Sequence, residues 1–207
     1  MNLKLKALGL ALVAAFAMSA VMASAASAIE FHAGEAHTLL NGSQVGGHSF
    51  TVGSGFGAIT CKKANFTGTT TKTTETSQVI TPEYKECTDS FGRVAHETIN
   101  ATHRYTPPTV TTGDAEYHLE GSITIEITGA GCTVHIPIQT GNHIVYHVIA
   151  NGDVETTTTT SNLTTITTGG FLNCGVIEGH HTGGSYTGTT VVAGTNTAGG
   201  NVNISVS

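Results

Sequence analysis

The chain has 207 residues, of which 39% are hydrophobic and 11% charged, with 26 Gly, four Cys, no Trp and a formal charge of −6 at pH 7. This length fits one domain with a substantial core, or at most two small ones. An acidic chain without a cluster of Lys and Arg repels phosphate backbones, so the composition argues against a nucleic-acid partner.

Residues 1–28 have the pattern of a secretory signal peptide. Two lysines precede an uncharged run rich in Ala, Leu and Val, and the small-x-small cleavage pattern follows at Ala26-Ser27-Ala28. A membrane anchor is the alternative, but the run from Ala7 to Val21 falls short of the roughly 20 residues that a spanning helix needs. We therefore expect a secreted mature chain at 29–207 without a transmembrane anchor. Its six basic and fourteen acidic residues give it a formal charge of −8.

The mature chain predicts strands rather than helices. Apolar residues do not recur at helical spacing, whereas short alternating or β-branched runs do, among them HSFTV, SITIEITG, CTVHIPIQ and NHIVYHVIA. Turn pairs such as Asn41-Gly42, Gly46-Gly47 and Gly199-Gly200 separate these runs. The pattern is typical of an all-β domain, a two-sheet β-sandwich or jelly-roll-like domain with about a dozen strands.

The threonine-rich stretch VETTTTTSNLTTITTGG at 154–170 has two interpretations. A mucin-like spacer would mix Thr with Pro, and this stretch contains no Pro. Threonine is β-branched and favours an extended backbone. Asn151-Gly152-Asp153 just before it is a hairpin signal that follows the strand-like residues 142–150. We predict the second strand of a hairpin rather than a disordered linker.

Four cysteines in a chain bound for an oxidising compartment predict two disulfides. Three connectivities are possible, and the sequence alone does not choose among them. Sequential pairing, Cys61–Cys87 and Cys132–Cys174, is preferred because it closes one loop in each half of the chain. A zinc site or a redox pair would need CxxC-type spacing, which this sequence lacks.

Two similar segments raise the possibility of internal repetition. FTGTT at 66–70 and YTGTT at 186–190 each follow a cysteine, and Pro107-Pro108 lies between them. The single domain could thus contain two pseudo-repeated halves joined near 106–114. In a chain so rich in Thr and Gly, coincidence is an equally simple explanation.

Histidine offers the one candidate for metal chemistry. His143 and His147 fall on one face of a strand, but strand positions i and i+4 lie roughly 13 Å apart, which is too far to share an ion. Most of the eleven histidines are therefore interpreted as polar residues on strand faces. The remaining cluster is the candidate metal-ligating group, formed by Glu178, His180 and His181.

No motif predicts catalysis or a cofactor. The sequence has no GxSxG turn, and its scattered acids do not suggest a carboxylate pair. The glycine-rich GSGFG at 53–57 is not followed by a helical pattern, so it does not predict a phosphate loop. Asp89, Asp114 and Asp153 lie beside turn residues and are expected to stabilise turns.

Several segments together span most of the mature chain, including IEFHAGEAHTLLNGSQVGGHSFT, GAITCKKANFTGT, ITPEYKECTDSFG, ITGAGCTVHIP and SYTGTTVVAGTNTAGGNVNISV. In them the chain resembles secreted, cysteine-containing, β-rich proteins of Solirubrobacter-type soil actinobacteria. More loosely, CKKANFTGT is similar to a strand pattern of the secreted alkane-oxidation activator family. Neither resemblance supplies catalytic residues. Both imply an exported β-rich module at the cell surface or in the extracellular matrix.

These observations predict a non-enzymatic structural or binding component outside the cell. Its partners would be cell-surface or matrix molecules, or further copies of the chain added at edge strands. The alternative is a lectin-like or metal-binding extracellular module that uses the region of His180 and His181.

Overall fold

A computed structural model of the protein describes residues 29–53, 57–107, 115–169 and 178–207. The all-β prediction is confirmed, because the described residues form fourteen strands and no helix. Accordingly, no helix in this part of the chain could cross a membrane. The predicted signal peptide, at 1–28, lies outside the described residues. The strands are β1 (Phe31–Ala33), β2 (Leu39–Gln44), β3 (His48–Thr51), β4 (Ala58–Thr69), β5 (Thr74–Glu75), β6 (Gln78–Thr88), β7 (Val94–Thr106), β8 (Ala115–Ile127), β9 (Cys132–Ile136), β10 (Gln139–Val148), β11 (Val154–Thr168), β12 (Gly179–Thr195), β13 (Asn201–Val202) and β14 (Ile204–Val206).

Eleven of these strands form one antiparallel sheet that closes on itself. Strands β4, β6, β7 and β8 follow one another, and both β9 and β10 join β8 to β11. Strand β11 then pairs with β12, and β12 pairs with β2 and β3, which both pair back to β4. Opposite walls of this sheet face each other across a common interior, so a continuous sheet supplies both layers of the sandwich-like domain.

A second, three-stranded sheet covers part of the interior. Strand β1 lies between β14 and β5, with Phe31 opposite Val206 and Ala33 opposite Ile204. Ala33 and Ile204 are buried against Leu40 and other apolar residues of the large sheet. Because β1 and β14 pair with each other, the two ends of residues 29–207 are joined at this small sheet.

Alternation of buried and exposed residues places one face of each long strand in the interior. Strand β8 shows it clearly, since Tyr117 and Leu119 are buried and so are Ile123 and Ile125 further along. Gly121, between these two pairs, has a φ of +110°, a conformation that bends the strand where the sheet must curve.

The predicted threonine-rich hairpin is confirmed. Strands β10 and β11 pair from Val148↔Val154 onward, and the turn at 149–153 contains the expected Asn-Gly-Asp. Some of its threonines are buried, including Thr160, Thr165 and Thr167. The hydroxyl of Thr165 donates to the Val52 carbonyl at 3.2 Å, so burial of this polar group is compensated.

The predicted disulfide Cys61–Cys87 is confirmed, and it links directly opposed residues of β4 and β6. Both cysteines are buried in the main apolar cluster. Cys132 also forms a disulfide. Cys174 lies outside the described residues, as does most of the proposed joint at 106–114 and with it Asp114.

Asp89 stabilises the turn between β6 and β7, as its position in the sequence suggested. Its carboxylate accepts hydrogen bonds from the backbone N–H groups of Phe91 and Arg93, at 3.0 and 2.8 Å, and from Arg93 Nε at 2.6 Å. Asp153 has a similar local role, because its N–H donates to Asn151 Oδ1 at 3.3 Å. Both aspartates therefore stabilise turns, and other residues line the interior.

Candidate binding site in the interior

The interior is lined by aromatic side chains from strands on all sides. All five tyrosines lie there, on β6, β7, β8, β10 and β12, namely Tyr84, Tyr105, Tyr117, Tyr146 and Tyr186. Burial raises the pKa of every one of these phenols, to about 12 for Tyr117. The tyrosines are therefore neutral at physiological pH and act as hydrogen-bonding groups on apolar rings.

His48 of β3 anchors a directed chain of hydrogen bonds across the interior. Its Nε2 lies 3.1 Å from the Thr189 carbonyl, which only accepts, so this nitrogen carries the proton. Its Nδ1 consequently accepts from the Tyr186 hydroxyl at 2.6 Å, and Tyr186 accepts from Tyr84 at 3.1 Å. Burial lowers the pKa of His48, which favours the same neutral imidazole.

A first cavity of about 80 Å³ lies between the large sheet and the small one. Its walls are mainly apolar and include Leu40, Phe66 and Ile80 from the large sheet, with Phe31 and Ile204 from the small sheet. This volume is several times the roughly 10–15 Å³ that one water molecule needs. The first cavity therefore has room for more than isolated solvent.

Two residues that line the first cavity each carry a buried polar atom without a hydrogen-bond partner among the described residues. The atoms are Tyr146 Oη and Gln78 Oε1. The amide nitrogen of Gln78 donates to the carbonyls of Val79 and Thr69, at 3.1 and 3.4 Å, which holds the side chain in place. An unpaired buried polar atom costs roughly 1–3 kcal/mol, so a hydrogen-bond partner for either atom would be favourable.

A second cavity, of about 60 Å³, lies on the other side of the His48 and Tyr186 pair, since these two residues line both cavities. Phe50, Ile59, Leu119 and Ile125 contribute apolar walls to it. Its further polar lining includes Glu97 and His103 from β7, with Tyr84 and Tyr117. The His48 hydrogen-bond chain thus separates two chemically different spaces.

His103 makes the stability of the protein depend on pH. Complete burial lowers its pKa to about 4, whereas an unfolded histidine has a pKa near 6.5. The unfolded state binds this proton first, so stability falls as the pH drops below 6.5 and levels off below about 4. Between pH 7.5 and 4.5 we expect this group alone to remove about 2–3 kcal/mol of unfolding free energy. Urea unfolding of the wild type and of His103→Gln at both pH values checks this, since the variant should lose correspondingly less.

The predicted metal ligands occupy the start of β12 and the residue before it. Glu178 and His180 are exposed, and the half-buried His181 places Nε2 2.8 Å from the Thr167 hydroxyl oxygen. In the described part of the chain, the only three ligand-type residues with atoms within 4.8 Å of one another are Cys61, Cys87 and Glu97. The structure therefore does not bring Glu178, His180 and His181 together, and metal binding there stays a prediction.

No sequence motif singles out the residues that line the cavities. Most histidines were predicted to be polar residues on strand faces, but His48 and His103 are buried. The sequence does contain a signal that His48 is buried, because His48, Phe50 and Val52 alternate along the chain and therefore lie on the same face of the strand. What the period does not show is that this face meets Tyr186, a residue 138 positions away.

No protein-family model, curated protein or solved structure matches this chain. The fold and the interior nevertheless define a class of molecule. It is an all-β, disulfide-bonded domain whose closed sheet surrounds two cavities with aromatic and hydrogen-bonding walls.

Proposed function

We propose that this protein is an exported, non-catalytic binding protein that holds a small, largely apolar molecule in the first cavity. The observation that carries the proposal is that two residues lining this cavity, Tyr146 and Gln78, each carry a buried polar atom with no hydrogen-bond partner among the described residues. A phenol donates and an amide oxygen accepts. A ligand with a hydroxyl or amide group offers both complements, and its apolar body would replace water against the surrounding walls.

Export is part of the same proposal. It is supported by the signal-peptide pattern at 1–28, by the resemblance to secreted β-rich proteins, and by the Cys61–Cys87 disulfide, since disulfides persist in oxidising compartments. A binding role is favoured over assembly at edge strands because the closed sheet pairs its long strands with neighbours on both sides.

Tyr146→Phe tests the binding site in the ligand-free protein. Removing an unpaired buried hydroxyl relieves a desolvation cost, so we expect the free energy of unfolding to rise by about 1 kcal/mol. Tyr117→Phe is the matched control, because its hydroxyl is hydrogen-bonded to Thr160. That variant should lose about 1 kcal/mol in the same urea titration. A decrease in stability for Tyr146→Phe would contradict the assignment of an unpaired hydroxyl.

Ligand binding itself is tested with a matched set of small molecules. Benzyl alcohol and ε-caprolactam carry a polar group on an apolar body, and toluene provides the body alone. By calorimetry or ligand-observed NMR, we expect the first two to bind wild type about tenfold more tightly than they bind Tyr146→Phe. Toluene should not distinguish the two proteins. Equal affinities of the polar ligands for both proteins, or no binding at millimolar concentration, would overturn the proposal.

A further inference from the structure

We propose that the second cavity is a separate site for an organic ammonium ion, with the Glu97 carboxylate as its counter-charge and aromatic rings as its walls. This site is distinct from the first cavity, for which a neutral ligand is proposed. It would allow the protein to bind an amine with an apolar body, or two different small molecules at once.

Glu97 is the one acidic residue on the inward face of β7. It lies on β7 between Ala95, which is buried, and Ile99, which packs against the main apolar cluster. The side chain is half-buried and lines the second cavity. Burial is the main cause of its raised pKa. An inward carboxylate loses hydration, so its position is unfavourable unless a partner compensates the charge.

The described residues supply no ion-pair partner for Glu97. Their ion pairs use Glu83, Glu86, Asp89, Glu116 and Glu120, and among these residues no basic nitrogen lies within 4.0 Å of the Glu97 carboxylate. The carboxylate accepts a hydrogen bond from its own backbone N–H, and His96 attracts it electrostatically, but neither pairs with it as a salt bridge. Cys61 Sγ lies 3.9 Å from Glu97 Oε1, and this sulfur belongs to a disulfide and has no proton to donate.

The histidines of the second cavity do not neutralise Glu97 either. His48 and His103 both line this space, and burial lowers the pKa of each, to about 4 for His103. Both imidazoles are therefore uncharged at neutral pH. A metal ion is a poor occupant, because the two sulfur atoms beside Glu97 are bonded to each other and leave a single carboxylate as ligand.

Aromatic rings complete the chemistry of a cation site. Phe50, Tyr84, Tyr117 and Tyr186 line the same cavity as Glu97. The faces of such rings attract ammonium ions, and the attraction increases when the cation is shielded from water. A carboxylate with several aromatic rings favours a cation with an apolar body over a neutral or anionic molecule of the same shape.

The ladder between β6 and β7 is irregular beside this site. Strands β6 and β7 pair at Ile80↔His103 and again at Cys87↔Ala95, with a register shift between the two pairs. Both strands are described throughout, and no pairing joins 81–86 to 96–102. Tyr84 and Glu97 lie in these unpaired segments. The irregular stretch lies beside the carboxylate, and it agrees with the partial exposure of Glu97.

Selectivity of the wild-type protein is the first test. At pH 8, which favours the ionised Glu97 carboxylate over the protonated form, benzylamine hydrochloride, benzyl alcohol and sodium benzoate are titrated by calorimetry into Tyr146→Phe as well as wild type. The Tyr146 substitution weakens the alcohol site in the first cavity, so it isolates the second cavity. We expect benzylammonium to bind both proteins equally and at least about tenfold more tightly than benzoate. Failure of benzylammonium to bind, or equal binding of benzylammonium and benzoate, would overturn the proposal.

Glu97→Gln assigns the site. We expect it to weaken benzylammonium binding by about tenfold or more and to leave benzyl alcohol binding within about twofold. Glu126→Gln, an exposed residue on β8, is the control with the same change in net charge and should bind benzylammonium like wild type. Circular dichroism and the urea midpoint verify folding. Equal losses in the two variants would assign the effect to net charge and overturn the site. If benzyl alcohol does not bind but benzylammonium distinguishes the two variants in this way, only the proposal for the first cavity is overturned.

Discussion

Replacing both Cys61 and Cys87 with alanine is expected to lower the free energy of unfolding by about 3–4 kcal/mol. The disulfide closes a loop with a sequence separation of 26 residues and so restricts the unfolded chain. Both cysteines also lie in the main apolar cluster, so the substitution removes buried sulfur as well. Urea unfolding without reductant, which leaves the disulfide of Cys132 intact, measures the difference.

Lys62→Ala is the control for this substitution, because Lys62 is an exposed residue next to Cys61 on β4. It should change the free energy of unfolding by no more than about 0.5 kcal/mol. If the double alanine variant lost less than about 1 kcal/mol, the view that this cross-link is a principal constraint on the fold would be wrong.

Gly121→Ala is expected to cost about 3 kcal/mol of unfolding free energy. The φ of Gly121 is +110°, which L-residues rarely adopt. A Cβ there would also overlap the carbonyl oxygen of Asn100 and lie 2.9 Å from Ala101 Cα. Because those atoms belong to the backbone of β7, the paired strands would have to separate. Thermal and urea unfolding of the variant measure the loss.

Gly46→Ala separates backbone strain from overlap. Gly46 has almost the same φ, +109°, but a Cβ there meets no atom within 4 Å. It should cost about 1–2 kcal/mol, the strain contribution alone. Similar losses in the two variants would show that contact with β7 adds nothing, and that Gly121 is needed only for its backbone conformation.

Local patterns predicted much of the secondary structure. Alternation in SITIEITG and the Asn-Gly-Asp turn before the threonine-rich stretch are properties of neighbouring residues, and both predictions are confirmed in β8 and in the β10–β11 hairpin. The Cys61–Cys87 pairing was preferred on loop closure, and its direct cause is the register of β4 and β6, which places the two cysteines opposite each other.

The candidate sites could not be predicted in this way. Gln78 and Tyr146 line one cavity, although they are far apart in the chain, and Glu97 lines the other without belonging to any sequence motif. Period-2 alternation indicates that a residue shares a face with its second neighbour, but it does not show which opposite wall that face meets.

The sequence by itself determined an all-β chain and most of its predicted turns, because backbone preference and side-chain alternation act over a few residues. The turn predicted at Asn41-Gly42 was wrong, because both residues lie inside β2 and pair with β4 and β12. Only the tertiary structure decided that the sheet closes, through the pairing of β12 with β2 and β3. Closure turns the inward faces of distant strands toward one another, and this long-range geometry places unpaired polar groups around enclosed space.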